Sequence, residues 1–191
     1  MTYEKLVTAA GELLGDVGFE RLTSNAISAR ANVTPPAFYS YFNDKYDILE
    51  ELAERLLKKQ SDAFAIWLFH GGVWTEGTRS IEALETWFRT SADIVAQEPG
   101  AIWTLRALRA LPNLAPIRLQ SQRVFTDQMF EFAKRILPNM PPDLLWYRLR
   151  LCAEFGFMID ELSIEEDRLP REVLFKEAAR LIGGLIEGAQ N

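Results

Sequence analysis

Apolar residues recur through this 191-residue chain at helical spacing, and prolines and glycines divide them into separate segments. Near the amino terminus, one such set falls at positions i, i+1, i+4, i+7 and i+8, on one face of a helix. It consists of Leu6, Val7, Ala10, Leu13 and Leu14. No segment alternates apolar and polar residues over the length that a half-buried strand requires. The sequence therefore predicts an all-α protein.

The breaks between these segments predict a series of helices and two domains. The predicted helices run over residues 3–16, 24–31, 35–42, 45–67, 79–97, 100–110, 114–137, 142–163 and 170–189. A loop is expected at residues 70–78. We place an N-terminal three-helix domain at residues 1–46 and a C-terminal helical domain at residues 47–191, joined by the long helix that begins near Lys45.

The composition is typical of a soluble globular chain, with 48% hydrophobic residues, 25% charged residues and a net charge of −6. The acidic balance argues against a protein that coats nucleic acid, but a small DNA-reading surface depends only on local charge. No apolar run reaches the ~20 residues of a membrane helix, and the opening segment contains acids. We therefore expect no leader, no membrane partner and a cytoplasmic location.

The stretch NVTPPAFYSYF resembles a break in the fold because it contains two adjacent prolines. Thr34, however, is a good helix N-cap, and Pro35 and Pro36 would occupy the first turn, where backbone N–H groups have no intrahelical partner. The prolines therefore predict the start of a short helix. Phe38 and Phe42 are four residues apart and would be buried on its inner face.

Two short helices joined by a tight turn describe a helix-turn-helix, although the tip of an ordinary three-helix bundle gives the same pattern. Matching pieces of a longer motif surround the turn: Ala9-Ala10, Leu13-Leu14, Gly18-Phe19-Glu20, Leu22-Thr23-Ser24, residues 27–34, residues 38–42 and Asn43-Asp44-Lys45. On these residues, positions 5–50 resemble, without gaps, the N-terminal DNA-binding domain of the TetR (tetracycline-repressor-like) family of transcriptional regulators.

The resemblance implies a homodimeric repressor that binds a palindromic double-stranded DNA operator. A small-molecule effector in the C-terminal domain would release it. The phosphate-contacting residues that the resemblance implies are Thr23, Ser24, Tyr39, Tyr41 and Lys45. The residues that it places facing the major groove are Thr34, Pro35, Pro36, Ala37 and Ser40.

One departure from the family pattern concerns how a DNA sequence would be chosen. Pro35, Pro36 and Ala37 stand where related sequences often carry Lys or Arg, Gly and Thr. None of the three side chains can make a bidentate hydrogen bond to a base. Sequence choice would then rest on apolar contacts, on Thr34 and Ser40, and on DNA shape.

Aromatic residues are dense beyond the long helix, and most of them are expected in the core. Four tryptophans between positions 67 and 103 exceed what a small helical core needs, which favours an apolar pocket with few polar groups. The residues expected to line it, around an apolar or aromatic effector, are Trp87, Trp103, Arg106, Phe125, Met129, Tyr147 and Phe155. Further polar candidates, each also typical of a surface position, are Arg109, Gln128 and Asp160.

The last two predicted helices have the composition of a dimer interface. Residues 142–163 carry apolar groups on an arc too wide for a helix with one solvent face, and residues 172–189 combine leucines with glycines. Together they predict a four-helix bundle with a second copy, or alternatively a monomeric core pair. The expected interface residues are Leu151, Phe155, Met158, Leu162, Leu174, Leu181 and Leu185.

An enzyme is not indicated. His70 and Cys152 are the only residues of their types, and no metal-ligand spacing, phosphate loop or nucleophile motif is present. We therefore expect no catalytic residue, no cofactor and no metal. A helical adaptor that has lost strong DNA binding is the alternative function, because the local charge of the helix-turn-helix is weak.

That weak charge predicts a shallow salt dependence of DNA binding. Within residues 20–47 the charges cancel (3 − 3 = 0), the residues being Arg21, Arg30 and Lys45 against Glu20, Asp44 and Asp47. Few phosphates would be neutralised, so we expect modest affinity and a log–log salt slope much shallower than about −8. Fluorescence anisotropy titrations at a series of salt concentrations measure the slope, and a value as steep as about −8 would refute the expectation.

Overall fold

The computed structural model describes residues 1–70 and 78–187, and this part of the chain is helical without any strand. The helices are α1 (Thr2–Arg21), α2 (Ser24–Arg30), α3 (Pro35–Tyr39), α4 (Lys45–Phe69), α5 (Thr78–Gln97), α6 (Ala101–Ala110), α7 (Ala115–Ala133), α8 (Pro142–Glu165) and α9 (Arg171–Glu187). The predicted all-α fold is confirmed. The expected loop at 70–78 and the end of the helix expected at 170–189 lie largely outside the described residues.

The observed helix bounds follow the predicted segments, with differences at three helices. α3 ends at Tyr39 and α7 at Ala133, before the predicted ends at residues 42 and 137, so Phe42 lies beyond α3. The largest difference is at α1. This helix was expected to end near residue 16 but runs to Arg21. Gly18 explains the difference, because its φ of 74° and ψ of 175° interrupt the helix before a further turn forms. A positive φ is favourable for glycine, which has no Cβ, and the chain changes direction there without leaving helical structure for long.

The chain forms two compact units that do not coincide with two halves of the sequence. The first combines residues 1–58 with Val95–Arg118, and the second combines Lys59–Ile94 with the described residues from Leu119 onward. The first unit therefore contains α6, which comes from the middle of the sequence. The domain division at residues 46 and 47 stays a prediction.

Within the first unit, α1 packs its apolar face into a small core. Leu6, Ala10 and Leu14 are completely buried, as are Ile48 and Leu49 of α4. On α1 these positions recur every four residues, so they form one continuous stripe. Their burial supports the short helices α2 and α3, which could not be stable alone.

Glycines let α6 approach α1 closely inside the first unit. A Cβ on Gly11 would lie 3.0 Å from the Pro99 carbonyl oxygen, and one on Gly100 would lie 2.5 Å from the Gly11 carbonyl oxygen. Gly100 also has a φ of 75°, which L side chains rarely adopt. Trp103 then lies against Gly18. The sequence Pro99-Gly100 is therefore a packing element as well as a helix break.

The second unit has a core of apolar and aromatic side chains. Leu149 of α8 and Phe175 of α9 are fully buried. Phe64 packs against Trp87 and Phe125, with ring centroids 4.8 Å away in both cases. Such edge and tilted ring contacts add to the free energy gained from burying the rings.

Candidate functional site

A tight turn held by backbone hydrogen bonds joins α2 to α3. Thr23 caps the start of α2, since its Oγ1 accepts a hydrogen bond from the Ala26 N–H at 3.1 Å. At the other end, Asn32 takes a left-handed φ of 53°, and the Val33 N–H donates to the Ser28 carbonyl at 3.0 Å. Bonds of this kind satisfy the carbonyls at a helix end and redirect the chain at once. The two helices thus form a helix-turn-helix.

The adjacent prolines start α3 rather than break the fold. Pro35 is the first helical residue, Pro36 follows in the first turn, and Thr34 has the extended backbone of an N-cap residue. The Thr34 side chain makes no capping hydrogen bond, so its exposed hydroxyl stands at the entrance of the helix. Phe38 is 0% exposed and Phe42 is 5% exposed, as predicted. These two rings fix which face of α3 points outward.

The outward face of α3 presents a hydroxyl that is paired with one from α2. Tyr39 is 56% exposed, and its hydroxyl lies 2.8 Å from Ser24 Oγ. The hydrogen bond joins positions that are 15 residues apart in the sequence. Two predicted phosphate-contacting residues are thereby brought into one cluster beside Thr23. Tyr41 is also exposed and packs edge-on against Tyr3.

The remaining residues predicted to face the major groove differ in exposure. Thr34, Pro35, Pro36 and Ser40 are exposed, whereas Ala37 is half-buried. The Ser40 hydroxyl donates to the Pro36 carbonyl at 3.1 Å, so in this state it can only accept from a partner. The exposed face is therefore largely apolar.

Lys45 lies at the first position of α4 with its ammonium group held close to α1. Its Nζ donates to the Phe19 carbonyl at 3.3 Å and lies 4.2 Å from the centroid of the Phe19 ring. An ammonium group has three donors, so one carbonyl leaves donors for a further acceptor. The position is compatible with the predicted phosphate contact.

The positive charge of the helix-turn-helix is further reduced by ion pairs. Arg30, at the end of α2, lies 2.7 Å from Asp16 and 3.6 Å from Glu12, both on α1. Exposed pairs of this kind contribute little stability, but they offset a charge that would otherwise attract phosphate. The interface is accordingly close to neutral.

A separate apolar cavity lies inside the second unit. Its lining residues are Phe64, Trp67, Leu68, Leu84, Trp87, Phe88, Ser91, Phe125, Met129, Cys152, Ala153, Gly156, Phe157, Asp160 and Ile182. The cavity volume is about 50 Å³. Burial raises the pKa of the Cys152 thiol to about 12, so this cysteine is an unreactive part of the wall.

The cavity contains only some of the residues expected to bind an effector. Trp87, Phe125 and Met129 line it. Trp103 and Arg106 belong to α6 in the first unit, where the Arg106 guanidinium lies 4.7 Å from the Trp103 ring. The two residues predicted from α8 are at the surface instead, and they are Tyr147 and Phe155. Helical spacing could not separate the cavity face of α8 from its outer face, because both are apolar.

Asp160, one of the polar candidates from the sequence, is the polar centre of the cavity, whereas Arg109 and Gln128 are not among its lining residues. Its carboxyl is buried, and Oδ2 accepts hydrogen bonds from Gln60 Nε2 at 2.7 Å and from Ser91 Oγ at 2.8 Å. Gln60 Nε2 also donates to Ser91 Oγ at 3.0 Å. Burial raises the pKa of Asp160 to about 7, and the two hydrogen bonds oppose part of that rise. Sequence reasoning missed its partners Gln60 and Ser91, because they lie 100 and 69 residues away in the sequence.

An apolar stripe runs along the outer face of α8. Tyr147, Leu151, Phe155 and Met158 are 61%, 50%, 37% and 45% exposed, and on α9 Leu181 is 74% exposed. Their spacing of three or four residues places the α8 members on one side of that helix. Among the other predicted interface residues, Leu162 and Leu185 are half-buried and Leu174 is buried in its own chain. Exposed apolar stripes of this kind mark contact surfaces.

Two other kinds of site are not found in the described part of the chain. No group of three His, Cys, Asp or Glu side chains is placed to hold a metal ion. No helix among the described residues combines the length and the apolar character required to cross a membrane.

Comparison with known proteins identifies the N-terminal part of the chain. Residues 6–52 match the family model for bacterial regulatory proteins of the tetR family. The tetracycline repressor protein class C of Escherichia coli is 43% identical over 54 residues, which are 28% of this chain and 25% of that protein. The chain thus matches about a quarter of the length of this curated relative.

Solved structures resemble the chain over nearly its whole length. A tetR-family transcriptional regulator from Streptomyces coelicolor has a TM-score of 0.74 at 16% identity, covering 96% of this chain and 79% of that one. FadR of Thermus thermophilus, solved with lauroyl-CoA, has a TM-score of 0.65 at 21% identity, covering 94% and 92%. A SmeT–triclosan complex has a TM-score of 0.66 at 18% identity, covering 98% and 90%. At these identities the likeness shows a shared fold.

The buried Asp160 predicts an unusual pH dependence of stability. The pKa of Asp160 is about 7 in the folded protein and near 3.8 for an ordinary aspartate. Between these values the folded state keeps a proton that the unfolded chain has lost. The free energy of unfolding should therefore fall as pH rises from about 4 to 7, by up to about 1.4 kcal/mol per pH unit.

Urea denaturation at a series of pH values measures this effect in the wild type and in Asp160→Asn. The asparagine variant has no ionisable group at this position, so its stability should decline less over the same range. Equal pH slopes for the two proteins would contradict the raised pKa of Asp160.

Proposed function

We propose that this chain, which carries a tetR-family domain at residues 6–52, is a DNA-binding transcriptional regulator. It would act as a homodimeric repressor on a palindromic operator and leave the DNA when a small apolar or aromatic molecule enters its effector site. The observation that carries the proposal is the exposed Ser24–Tyr39 hydroxyl pair on a formed helix-turn-helix. Tyr39 is 56% exposed, so the pair is within reach of a partner outside the chain.

The hydroxyl pair is suited to hold a DNA phosphate. One hydroxyl donates to the other across 2.8 Å, which leaves the second O–H to donate to a phosphate oxygen. Lys45 has donors beyond the one that bonds the Phe19 carbonyl. Phosphate contacts from both places would fix the position of α3 on the duplex without reading the sequence.

Sequence reading would depend mainly on apolar contact. Pro35 and Pro36 are exposed at the start of α3, and apolar side chains there can contact a thymine methyl group. Thr34 adds a hydroxyl that is not used in capping. We therefore expect a site rich in A·T pairs at the positions that face the start of α3.

A second copy of the chain would cover the apolar stripe on α8. Such a stripe, continued by Leu181 on α9, suits a two-fold four-helix contact in which each helix meets its symmetry mate. Dimerisation also supplies the second helix-turn-helix that a palindromic operator requires, with half-sites about 34 Å apart.

The effector would enter the cavity of the second unit. α4 supplies Phe64 and Trp67 to the cavity wall near its end, and Lys45 to the DNA-binding surface at its start. A cavity of about 50 Å³ must widen to hold a drug-sized molecule, since ligand pockets commonly measure about 300 to 1,000 Å³. Widening would displace the part of α4 that lines the cavity. An effector that prefers the widened state would thereby shift the population away from DNA binding.

The ligands of structural neighbours are consistent with an apolar effector. FadR of Thermus thermophilus was solved with lauroyl-CoA and SmeT with triclosan. The cavity of this chain is likewise dominated by aromatic and aliphatic walls. Its buried carboxyl is the feature that would select among apolar molecules.

A helical adaptor without strong DNA binding is the second candidate function. The observation that favours it is the pairing of Arg30 with Asp16 and Glu12, which leaves the helix-turn-helix with little net positive charge. DNA binding itself separates the two functions, because an adaptor would not select any sequence from a random pool.

Replacing Tyr39 tests the DNA interface. DNA selected from a random-sequence pool by the wild type provides the probe, and gel-shift titration measures affinity. Tyr39→Ala should weaken binding at least about tenfold, or ~1.4 kcal/mol, because it removes both the ring and the hydroxyl. The DNA affinity of Tyr39→Phe should lie between those of the wild type and Tyr39→Ala, since this change removes only the hydroxyl that is hydrogen-bonded to Ser24.

Phe69→Ala is the matched control for this test. Phe69 is an aromatic residue that is 85% exposed but lies at the far end of α4, so its removal should leave DNA affinity unchanged. An equal loss in Phe69→Ala and Tyr39→Ala, or no loss in either, would contradict the proposed interface.

Replacing Met158 tests the dimer. A charge in the middle of the α8 stripe should separate the copies, because an unpaired charge in an apolar contact is costly. Analytical ultracentrifugation at micromolar concentration should show a dimer for the wild type and a monomer for Met158→Glu. Ile136→Glu is the control, since Ile136 is 44% exposed but lies outside the stripe. A wild-type monomer, or a dimeric Met158→Glu, would refute the assignment.

A further inference from the structure

The wall of the cavity contains a carboxyl group that has no opposite charge beside it. Asp160 is 1% exposed and is one of the lining residues, among which there is no lysine, arginine or histidine. Ser91, which contributes a hydroxyl group, also lines the cavity. Acids are almost never buried at this depth without a paired charge, so the position calls for a functional explanation.

Only one of the two oxygens of this carboxyl accepts hydrogen bonds. Both of the donors that reach Asp160, from Gln60 and Ser91, bond to Oδ2. Among the described residues, no side chain or backbone group donates to Oδ1, and Gln60 Oε1 is likewise without a donor. With Asp160 ionised, as it is above its pKa of about 7, both atoms are acceptors, and buried acceptors in proteins are nearly always bonded. The site therefore lacks donors and has acceptors to spare.

The donors already present hold the carboxyl in one orientation. Gln60 Nε2 bonds both Asp160 Oδ2 and Ser91 Oγ, and the Ser91 hydroxyl in turn donates to Asp160. These three side chains come from α4, α5 and α8, so the network links three walls of the cavity. Oδ1 is thus a fixed acceptor, which is what a specific polar contact in an apolar site requires.

Aromatic rings surround the rest of the cavity. Phe64, Trp67, Trp87 and Phe125 all line it, and the centroids of the Trp67 and Trp87 rings lie 5.6 Å apart. The faces of such rings attract cations, tryptophan most strongly. The same walls also accept the apolar body of a ligand.

We propose that the cavity binds a lipophilic amine, with its protonated nitrogen on Asp160 Oδ1 and its apolar body against the aromatic walls. The assignment deepens the proposed function, on which it rests, by naming the chemical class of the effector. An ammonium group supplies both the missing hydrogen-bond donor and the missing positive charge. An alcohol supplies the donor alone, and a carboxylate would add a second negative charge to a site that has no cation.

Other properties of the wall agree with this assignment. Burial raises the pKa of Asp160, because the apolar wall disfavours the charged carboxylate, and a cation at Oδ1 would stabilise that form. Gly156 also lines the cavity, one helical turn before Asp160. A glycine there adds no side chain to the wall near the carboxyl.

Three probes with the same apolar body test the assignment directly. Isothermal titration calorimetry of the full chain without DNA, at about pH 8, compares phenylbutylamine, phenylbutanol and phenylbutanoate. We expect the amine to bind at least about tenfold more tightly than the alcohol, and the carboxylate to bind most weakly. Equal affinities, a carboxylate that binds as tightly as the amine, or no binding of the amine would overturn the assignment.

Asp160→Asn then assigns the preference to the carboxyl. The asparagine keeps the shape of the side chain but removes its charge, so the amine should lose its advantage and bind within about threefold of the alcohol. Thr126→Val is the control, because Thr126 is a buried polar residue of the same unit that is not in the cavity wall. Circular dichroism checks that both variants fold. A preference for the amine that persists in Asp160→Asn would overturn the assignment. The order of affinities of the three probes for the wild type is measured independently of both variants.

A gel shift with and without phenylbutylamine keeps this inference distinct from the proposed function. If the amine binds the chain but the complex with DNA stays intact, the proposed release by an effector is contradicted, whereas the assignment of the cavity to amines is supported. If the chain binds DNA sequence-selectively but shows no preference for the amine, the ligand assignment is contradicted, whereas the proposed DNA-binding function is supported.

Discussion

Burial of Phe38 is the interaction on which the candidate DNA-binding surface depends. α3 has only five residues, too few for its internal hydrogen bonds to keep it helical in water. With Phe38 fully buried and Phe42 nearly so, the helix is held by packing, and its opposite face is forced outward. The exposure of Tyr39 and its hydrogen bond with Ser24 follow from that arrangement, because neighbouring side chains on a helix point in different directions.

The two compact units use polar groups in opposite ways. In the first, the hydroxyls of Ser24 and Tyr39 are exposed, where water can replace any partner at little cost. In the second, Asp160 is sealed among aromatic side chains, where an unused acceptor costs free energy until a donor arrives. The first arrangement suits a surface that binds and releases phosphate. The second suits a site that selects its ligand by one polar contact.

Helix positions were largely predictable from the sequence, because apolar spacing, prolines and glycines act over a few residues. Pro35, Gly18 and Asn32 all have the backbone roles that their own chemistry favours. The cavity was less predictable. Trp103 and Trp87 have similar neighbours in the sequence, yet Trp103 packs on Gly18 in the first unit and Trp87 lines the cavity of the second. Local pattern identifies a buried ring but does not specify which core it joins.

The sequence by itself determined an all-helical chain, the turn at Asn32, the start of α3 at Pro35 and the tetR-family domain, since each depends on residues close together in the chain. Only the tertiary structure decided that α6 belongs with α1, and that Gln60, Ser91 and Asp160 meet in one hydrogen-bonded network. Asp160 lies 100 residues beyond Gln60. A carboxyl is commonly a solvated surface group, and its burial depends on the packing of whole helices, which local spacing does not encode.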